Sequence, residues 1–225
     1  MLEKIVINNL INLRKECGLT QEEAGDILGL SRPTYNGLET GKRPPTTDDL
    51  EKLAKAYRIP VTRFFEAPRD DRKFEQMYFQ VLKHFPEGVP KTKLAKLLYL
   101  IDFSNFYDNL ESMSGMQYIR RQYGPVAENF FEMTDNFYDE GKIDIKPMEY
   151  TLLIKPLVKS PEDDLLSSKD KERIDKICEL WKDRRTAEIV QYTHEQNPWR
   201  SCVDGEKIPY ELIVQEDPDH VYEPA

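Results

Sequence analysis

Residues 19–45 read LTQEEAGDILGLSRPTYNGLETGKRPP and hold the signals of two short helices joined by a tight turn. Thr20 is a predicted N-cap, and Glu23 three residues later completes a capping box. A helix is therefore expected over residues 21–28, and Gly29 ends it.

The second helix begins after Ser31, another predicted N-cap, and carries Pro33 in its first turn, where a missing backbone N–H does no harm. Gly37 inside this helix lowers its stability by about 1 kcal/mol relative to alanine. Two interpretations of this glycine stay open: its backbone approaches a duplex closely, or a short packed helix tolerates it. Helix, turn and second helix with a polar outer face form a helix-turn-helix pattern.

Around this pair, the spacing of apolar residues predicts three more short helices, giving five between Ile5 and Phe65. Gly18 stops the first of them. Thr47 is the predicted cap of the helix over residues 48–57.

Residues 18–65 resemble, along their whole length, the phage-repressor-like helix-turn-helix domain of the Xre or Cro/C1 type. The match rests on LTQEEAGDILGLS, on Glu39 and Gly41 spaced by one residue, on the following proline and on the closing LAKAYRIP. The resemblance implies that the helix over residues 32–38 enters the major groove and that Gln21 holds a phosphate. It implies these DNA-contacting residues: Gln21, Ser31, Arg32, Pro33, Thr34, Asn36, Gly37, Lys42 and Arg43.

Within this set, the resemblance assigns Arg32, Pro33, Asn36 and Gly37 to base edges. Arg32 suits a guanine and Asn36 an adenine. Pro33 and Gly37 have no side-chain hydrogen-bonding groups, so fewer residues can read the base sequence directly.

Lys42 and Arg43 in the following turn are either contacts to the DNA backbone or an ordinary solvated turn. Arg14 and Glu39 occupy positions where the family often has a buried ion pair joining the first and third helices. The alternative is two exposed charges that contribute little. Their apolar neighbours favour the pair.

The formal net charge of -9 is unevenly distributed. Residues 1–66 carry ten basic and ten acidic side chains, and the remaining residues carry 22 and 31. The N-terminal part is therefore not repelled by DNA, but its electrostatic affinity is modest and falls quickly with salt. Two copies spaced about one DNA turn apart compensate for this, so a homodimer is one expected assembly.

Composition excludes several classes of protein. No run approaches the ~20 apolar residues of a membrane helix, and the N-terminus lacks a secretory signal. Cys17, Cys178 and Cys202 form no CxxC pair, so neither a disulfide framework nor a zinc site is indicated. We expect a cytoplasmic protein with free, mostly buried thiols, no metal, no cofactor and no membrane partner.

Four segments are predicted: a helix-turn-helix domain over residues 1–66, a charged, proline-containing linker over 67–73, a second domain over 74–213 and an acidic tail over 214–225. The fold class is mainly α with a small β-hairpin. The elements expected in the second domain are helices over 74–85, 94–106 and 125–140, a hairpin within 142–158 that turns at Pro147 and Met148, a helix capped by Ser167 or Ser168, and a helix from Thr186 that Pro198 stops.

The second domain shows no catalytic signature. His194 and Glu195 begin like the metalloprotease motif H-E-x-x-H, but Pro198 stands where the second histidine is needed. His84 and His220 have no ligand spacing to His194, and no Gly-rich phosphate loop, G-x-S-x-G or Cys–His signature is present. A histidine beside a tryptophan is typical of a packed core, so no catalytic residue and no enzyme activity are expected.

Three segments, KLAKLLYLIDF, SGMQYIRRQYGPV and ELW…TAEIVQYTHEQNPW, together resemble the Panacea domain, also called SocA-like or phage-associated, over residues 74–213. The resemblance implies a helical α+β domain that binds and neutralises a cognate toxin encoded nearby, or delivers a toxin for degradation. A fused repressor-type helix-turn-helix implies control of the protein's own operon. The motif residues, structural or toxin-contacting, are Tyr99, Asp102, Phe103, Tyr123, Gly124, Pro125, Thr193, His194, Pro198 and Trp199.

The stretch Ile119-Arg120-Arg121 is unusually basic for this domain, and it predicts either contact with something acidic or a solvated face. The leading hypothesis is an antitoxin and autorepressor whose partners are a cognate toxin and operator DNA, as a homodimer or a toxin–antitoxin hetero-oligomer. An acidic half suits a basic toxin surface. The alternatives are a prophage-type transcriptional regulator with a C-terminal sensing or dimerisation domain, and a proteolytic adaptor. A hydrolase would need a polar cluster at recognisable spacing, which the sequence does not show.

Overall fold

The structure is a computed structural model that describes residues 2–65, 69–158 and 165–222, with side chains from Ile5 onward. The chain divides into two compact units, Met1–Pro68 and Arg69–Ala225. In the described part of the chain, no helix is long and apolar enough to cross a membrane.

The first unit has the five short helices predicted from the sequence. The predicted capping box of the second helix is confirmed: the Glu23 N–H donates to the Thr20 hydroxyl, and the Thr20 N–H donates to the Glu23 carboxylate at 2.7 Å. The elements are α1 (Leu2–Glu16), α2 (Gln21–Leu28), α3 (Arg32–Glu39), α4 (Thr47–Tyr57) and a 3-10 helix (Val61–Phe64).

The cap of α4 differs from the prediction. Thr46, not Thr47, is the N-cap: its hydroxyl accepts the Asp49 N–H at 3.1 Å, and the Asp49 carboxylate accepts the Thr46 N–H at 3.0 Å. This reciprocal arrangement requires an acceptor three residues after the cap, and Asp49 has that spacing only from Thr46.

One apolar core joins all five helices of the first unit. Each contributes at least one side chain that is 0% exposed, namely Leu10, Ala24, Leu38, Leu53 and Phe64. The inner face of α3 is therefore fixed by packing, and its outer face is left to solvent.

The second unit, over its described residues 69–158 and 165–222, is mainly helical with six short strands. Its first helix begins at Asp71, inside the predicted linker over 67–73, because the Asp70 carboxylate caps it by accepting the Lys73 N–H at 2.9 Å. Residues 67 and 68 of that linker prediction lie outside the described part of the chain. The elements are α5 (Asp71–Lys83), β1 (Val89–Pro90), α6 (Lys91–Asn109), β2 (Tyr118–Ile119), β3 (Val126–Ala127), α7 (Phe130–Asp139), β4 (Ile143–Pro147), β5 (Leu152–Pro156), α8 (Ser168–Trp181), α9 (Thr186–Glu195), α10 (Asn197–Arg200), β6 (Lys207–Ile208), a 3-10 helix (Tyr210–Gln215) and α11 (Asp219–Tyr222).

α6 is the central helix of the second unit. Every residue from Lys93 to Ser104 is buried. Because no face of this stretch meets water, it has no amphipathic stripe, as is typical of a core helix. The helix is also longer than the predicted 94–106.

The strands form two antiparallel three-stranded sheets, with strand orders β1-β5-β4 and β3-β2-β6. The predicted hairpin is confirmed as β4 and β5, in which Pro147 lies opposite Leu152. The sequence did not predict β1 or the second sheet, because strands of two residues are too short to show alternation. The prediction that a helix opens at Pro125 is wrong: Ala127 pairs with Tyr118, and α7 begins only at Phe130.

The predicted end of α9 is also wrong. α9 stops at Glu195, and Gln196 is extended (φ -71°, ψ 145°). Pro198 therefore lies in the first turn of the separate helix α10, where proline is tolerated.

The segment from residue 214 is not a loose acidic tail. A 3-10 helix and α11 occupy most of its described part, and Ile213 and Val221 are 1% and 6% exposed in the core of the second unit. Burial of these two apolar side chains holds an otherwise acidic segment against the domain. Residues 223–225 lie outside the described part.

Candidate functional site

The polar side chains of α3 lie on its outer face, where the DNA-reading residues were predicted. Ser31 occupies the N-cap position, but its hydroxyl lies 2.9 Å from that of Thr34 and accepts no capping N–H. Both hydroxyls thus stay on the exposed face. Ser31, Arg32, Pro33 and Thr34 are exposed. Asn36 and Gly37 are partly exposed. Tyr35, Leu38 and Glu39 face the core.

A buried ion pair supports α3 from behind. Arg14 and Glu39 form the pair that the resemblance implied, with Nε to Oε1 at 2.6 Å and Nη2 to Oε2 at 3.2 Å. Arg14 also donates to the Leu19 carbonyl at 2.7 Å. Burial alone would raise the pKa of Glu39, but the hydrogen bonds from Arg14 and Gln21 and the Arg14 charge outweigh it and lower that pKa.

Gln21 links this ion pair to the outer face of α3, which is the face predicted to read DNA and is called the reading face below. Its Nε2 donates to Glu39 Oε2 at 2.8 Å and to Asn36 Oδ1 at 3.1 Å. An amide nitrogen has two N–H donors, and both are used inside the protein. The Gln21 side chain therefore has no donor left for the predicted phosphate contact. The sequence did not reveal this bridge or its effect of fixing the Asn36 amide.

Lys42 and Arg43, the two residues predicted to contact the DNA backbone from the turn after α3, differ in their contacts within the protein. Lys42 is exposed. Arg43 donates its N–H to the Gly37 carbonyl at 3.0 Å, and its Nη2 lies 3.3 Å from Asp49 Oδ2. Arg43 therefore packs the turn against α4, and Lys42 is the freer cation of the two.

The packing of the first unit leaves space for a side chain at Gly37. A Cβ placed there would meet only the Arg43 Cβ, at 3.6 Å. By contrast, a Cβ on Gly25 would lie 2.8 Å from the Leu30 carbonyl oxygen, too close for any real contact. Internal packing thus explains Gly25 but does not require a glycine at position 37.

We expect Gly37→Ala to raise the free energy of unfolding by up to about 1 kcal/mol, because alanine is the better helix former. The same substitution should weaken binding to operator DNA, since its methyl group points to the reading face. Thermal melts and gel shifts of the full chain measure both effects. Gly25→Ala is the matched control and should lower the melting temperature. Full DNA affinity in Gly37→Ala would support the tolerated-glycine interpretation instead.

In the second unit, Asp102 is a buried carboxylate with three hydrogen bonds. It accepts the Ser114 N–H at 2.8 Å, the Ser114 hydroxyl at 2.5 Å and the Tyr118 hydroxyl at 2.9 Å. Burial raises the pKa of Asp102, and these donors act against that rise. Tyr99 and Phe103 pack on Tyr118 with ring centroids 5.6 Å and 5.5 Å away. The motif residues Tyr99, Asp102 and Phe103 are therefore part of the core of the second unit.

Lys96 joins the second and third motif segments, and sequence analysis missed it. It is 1% exposed, and its Nζ donates to the Pro125 carbonyl at 2.8 Å. Gly124 has φ +95°, and a Cβ there would lie 2.7 Å from Lys96 Cε and 3.0 Å from Thr193 Oγ1. Burial lowers the pKa of Lys96 to about 7. A lysine amid the apolar residues of KLAKLLYLI was the one signal available.

Trp199 is held on several sides. The His194 ring stacks on it at 3.9 Å, and the Arg120 guanidinium lies 4.0 Å from its centroid. Its Nε1 donates to the Arg121 carbonyl at 3.2 Å. The basic stretch before Tyr123 therefore positions Trp199, which is a third role beside the two predicted. Burial, and then the charges of Lys96 and Arg120, lower the pKa of His194.

The remaining motif residues, Tyr123 and Pro198, differ in exposure. Tyr123 is 66% exposed, whereas Pro198 is buried. Among the described residues, no group of three or more His, Cys, Asp or Glu side chains could hold a metal ion. Cys178 and Cys202 are buried and Cys17 is exposed, all as free thiols.

The two units define the class of protein: a helix-turn-helix domain followed by a helical α+β domain. Residues 10–64 match the helix-turn-helix family, and residues 94–200 match the family described as "Antitoxin SocA-like, Panacea domain". The chain therefore belongs to the Xre-type helix-turn-helix proteins and carries a C-terminal Panacea domain.

Several curated proteins are similar to parts of this chain. It is 37% identical over 73 residues to the uncharacterized HTH-type transcriptional regulator y4dJ of Sinorhizobium fredii, covering 32% of this chain and 94% of that protein. It is 40% identical over 50 residues to the cryptic phage CTXphi transcriptional repressor RstR of Vibrio cholerae, covering 22% and 45%. It is 32% identical over 63 residues to antitoxin HigA1 of Mycobacterium tuberculosis, covering 28% and 42%.

The chain thus spans less than half of the last two relatives. No solved structure matches it. The matched families are transcription regulators and antitoxins, and they support a DNA-binding regulator or an antitoxin.

Proposed function

We propose that this protein is the antitoxin of a toxin–antitoxin system and represses its own operon. The Panacea domain binds and neutralises a cognate toxin, and the helix-turn-helix domain binds operator DNA in the cytoplasm. The observation that carries the proposal is the fusion of an exposed reading helix, α3, to residues 94–200 that match an antitoxin-like family.

The net charge of the first unit favours binding to DNA in pairs. Its ten basic and ten acidic residues give it no net charge, so a single copy has little electrostatic affinity for phosphate. Two linked copies whose reading helices lie one DNA turn apart add their contacts. A homodimer or a toxin–antitoxin hetero-oligomer supplies the second copy, and in the hetero-oligomer toxin supply controls repression.

A transcriptional regulator without a toxin partner is the second candidate, and the similarity to y4dJ and to a phage repressor favours it. The deciding experiment is a growth rescue. The product of the gene adjacent to this one is expressed alone and together with the full chain, followed by co-purification. Rescue with a stable complex supports the antitoxin, rescue with loss of the toxin supports a proteolytic adaptor, and a harmless neighbour supports the regulator.

Arg32→Ala should separate the two activities. Arg32 is exposed on α3 and distant in sequence from the Panacea domain. Loss of one bidentate base contact weakens specific binding by about 1–3 kcal/mol, roughly fivefold to 150-fold, so the operator shift should disappear at limiting protein. Growth rescue should be unchanged.

Lys55→Ala is the control for Arg32→Ala, since it removes an equal charge from an exposed site on α4. It should retain most of the operator affinity. Loss of rescue together with DNA binding, in a folded Arg32→Ala protein, contradicts the division of labour between the two domains.

A further inference from the structure

The outer surface of α7 combines aromatic and acidic residues that neither the core nor the motif requires. Phe130, Thr134 and Phe137 face the core and are at most 4% exposed. Phe131 and Tyr138 are each 50% exposed and lie seven residues apart, hence on one side of the helix. Two half-exposed aromatic rings in line on a helix are available for contact.

Carboxylates surround these rings. Residues 122–141 contain five acidic and no basic side chains. Glu140 pairs closely with Lys142, at 2.7 Å. Lys207 and Lys91 lie 3.9 Å from Glu128 and Asp135, at the outer limit of an ion pair, so much of the negative charge outside Glu140 is left uncompensated. The α7 face is defined by six exposed residues: Glu128, Phe131, Glu132, Asp135, Tyr138 and Asp139.

Lys91 shows within the protein how this face receives a cation. Its ammonium lies 5.1 Å from the Phe131 ring centroid and 3.9 Å from Asp135 Oδ1. This is a cation–π contact completed by a carboxylate. Tyr138 follows Asp135 by three residues, so it is a second ring beside a carboxylate on the same side of α7. This ring is half exposed and is open to a cation from outside.

Charge selects the occupant of the face. Nucleic acid and anionic membranes are repelled by it. A second copy of the same face would bring like charges together. A protein surface rich in arginine and lysine is attracted by the carboxylates, and its cations can lie over the rings.

We propose that the α7 face is the docking surface for a basic surface of the toxin. This inference rests on the proposed function, since the toxin is the partner named there. A toxin that acts on RNA or nucleotides needs a positive surface to attract phosphate. An acidic helix that covers this surface neutralises the toxin by occupying the place of its substrate.

The test measures binding of the full chain to the purified product of the adjacent gene. Phe131→Ala with Tyr138→Ala removes the rings, and Glu132→Lys with Asp139→Lys reverses two charges. Each pair should raise the dissociation constant about tenfold or more, and rising salt should weaken the wild-type complex. Lysine at position 139 suits the helix dipole at the C-terminus of α7, whereas lysine at position 132, in the first turn, opposes the dipole by only about 0.3–1 kcal/mol, so the charge pair should still fold.

Matched controls lie elsewhere on the second unit. Tyr150→Ala removes a tyrosine that is 90% exposed at the β4–β5 turn, and Glu172→Lys with Glu211→Lys makes the same change in net charge. Both controls should bind within about twofold of wild type. A tight wild-type complex that the α7 variants and the controls affect equally overturns the α7 face but leaves the antitoxin intact. No wild-type complex overturns both proposals.

Discussion

Replacement of Glu39 by alanine should lower the free energy of unfolding of the N-terminal unit by about 3–5 kcal/mol. The substitution leaves the Arg14 guanidinium, whose side chain is 11% exposed, without either of its bonds to Glu39. The guanidinium keeps its hydrogen bond to the Leu19 carbonyl at 2.7 Å but loses its counter-charge. A buried charge without a counter-charge is costly because no ion-pair attraction offsets its lost hydration. Since the total free energy of unfolding of a small domain is only about 5–15 kcal/mol, this loss is a large part of its stability.

The effect of Glu39→Ala should extend to DNA binding. Gln21 loses one of its two acceptors, so the Asn36 amide on the reading face is no longer held in one orientation. Denaturation of the full chain followed by circular dichroism measures stability, and gel shifts in the cold measure operator binding. An unchanged unfolding midpoint contradicts the importance of this pair.

Arg14→Met with Glu39→Met is the control for the unpaired charge. It replaces both partners by apolar side chains of similar length, so neither charge is left buried alone. Such replacements are often neutral or stabilising. We therefore expect the double variant to be more stable than Glu39→Ala. An equal loss in the two proteins would attribute the effect to helix packing.

Lys96→Met should change how the stability of the second unit depends on pH. The pKa of Lys96 is lowered to about 7 by burial, from the ordinary value of 10.5. Between these two values the unfolded chain binds a proton that the folded chain does not. The stability gained by keeping Lys96 neutral is thus present above pH 10.5 and is lost as the pH falls to about 7, at about 1.4 kcal/mol per pH unit.

Methionine cannot titrate, so the stability of Lys96→Met relative to wild type should rise steadily as the pH is lowered from 10 towards 7. Urea denaturation at several pH values measures this difference. Lys146→Met is the control, because the Lys146 side chain is 59% exposed, and its difference from wild type should stay constant. Parallel curves for wild type and Lys96→Met would show that Lys96 remains protonated in the fold.

The first unit could be predicted closely because its signals are local. The Thr20 capping box, the turn at Gly29 and Pro33 in the first turn of α3 each act within a few residues, so they can be read without the rest of the chain. The one displaced cap, Thr46 rather than Thr47, is an error between adjacent threonines. The β4–β5 hairpin was also predicted from a local signal, the turn at Pro147 and Met148.

The second unit was predicted less well because its site depends on contacts distant in sequence. Lys96 reaches Pro125 across 29 residues, and Arg120 reaches Trp199 across 79. Neither contact has a periodic or capping signal. The same reason explains the false helix start at Pro125, where pairing with β2 overrides the local preference.

The sequence by itself determined the helix-turn-helix, the division of charge between the two halves and the likeness to the Panacea domain, because these are properties of local spacing and composition. Only the tertiary structure decided which of those residues are free to act. It directs both Gln21 donors inward, it uses Arg120 to hold Trp199, and it leaves Phe131 and Tyr138 exposed on an acidic helix. Packing brings distant segments together, and whether a polar side chain is satisfied inside the protein or open to a partner depends on those neighbours.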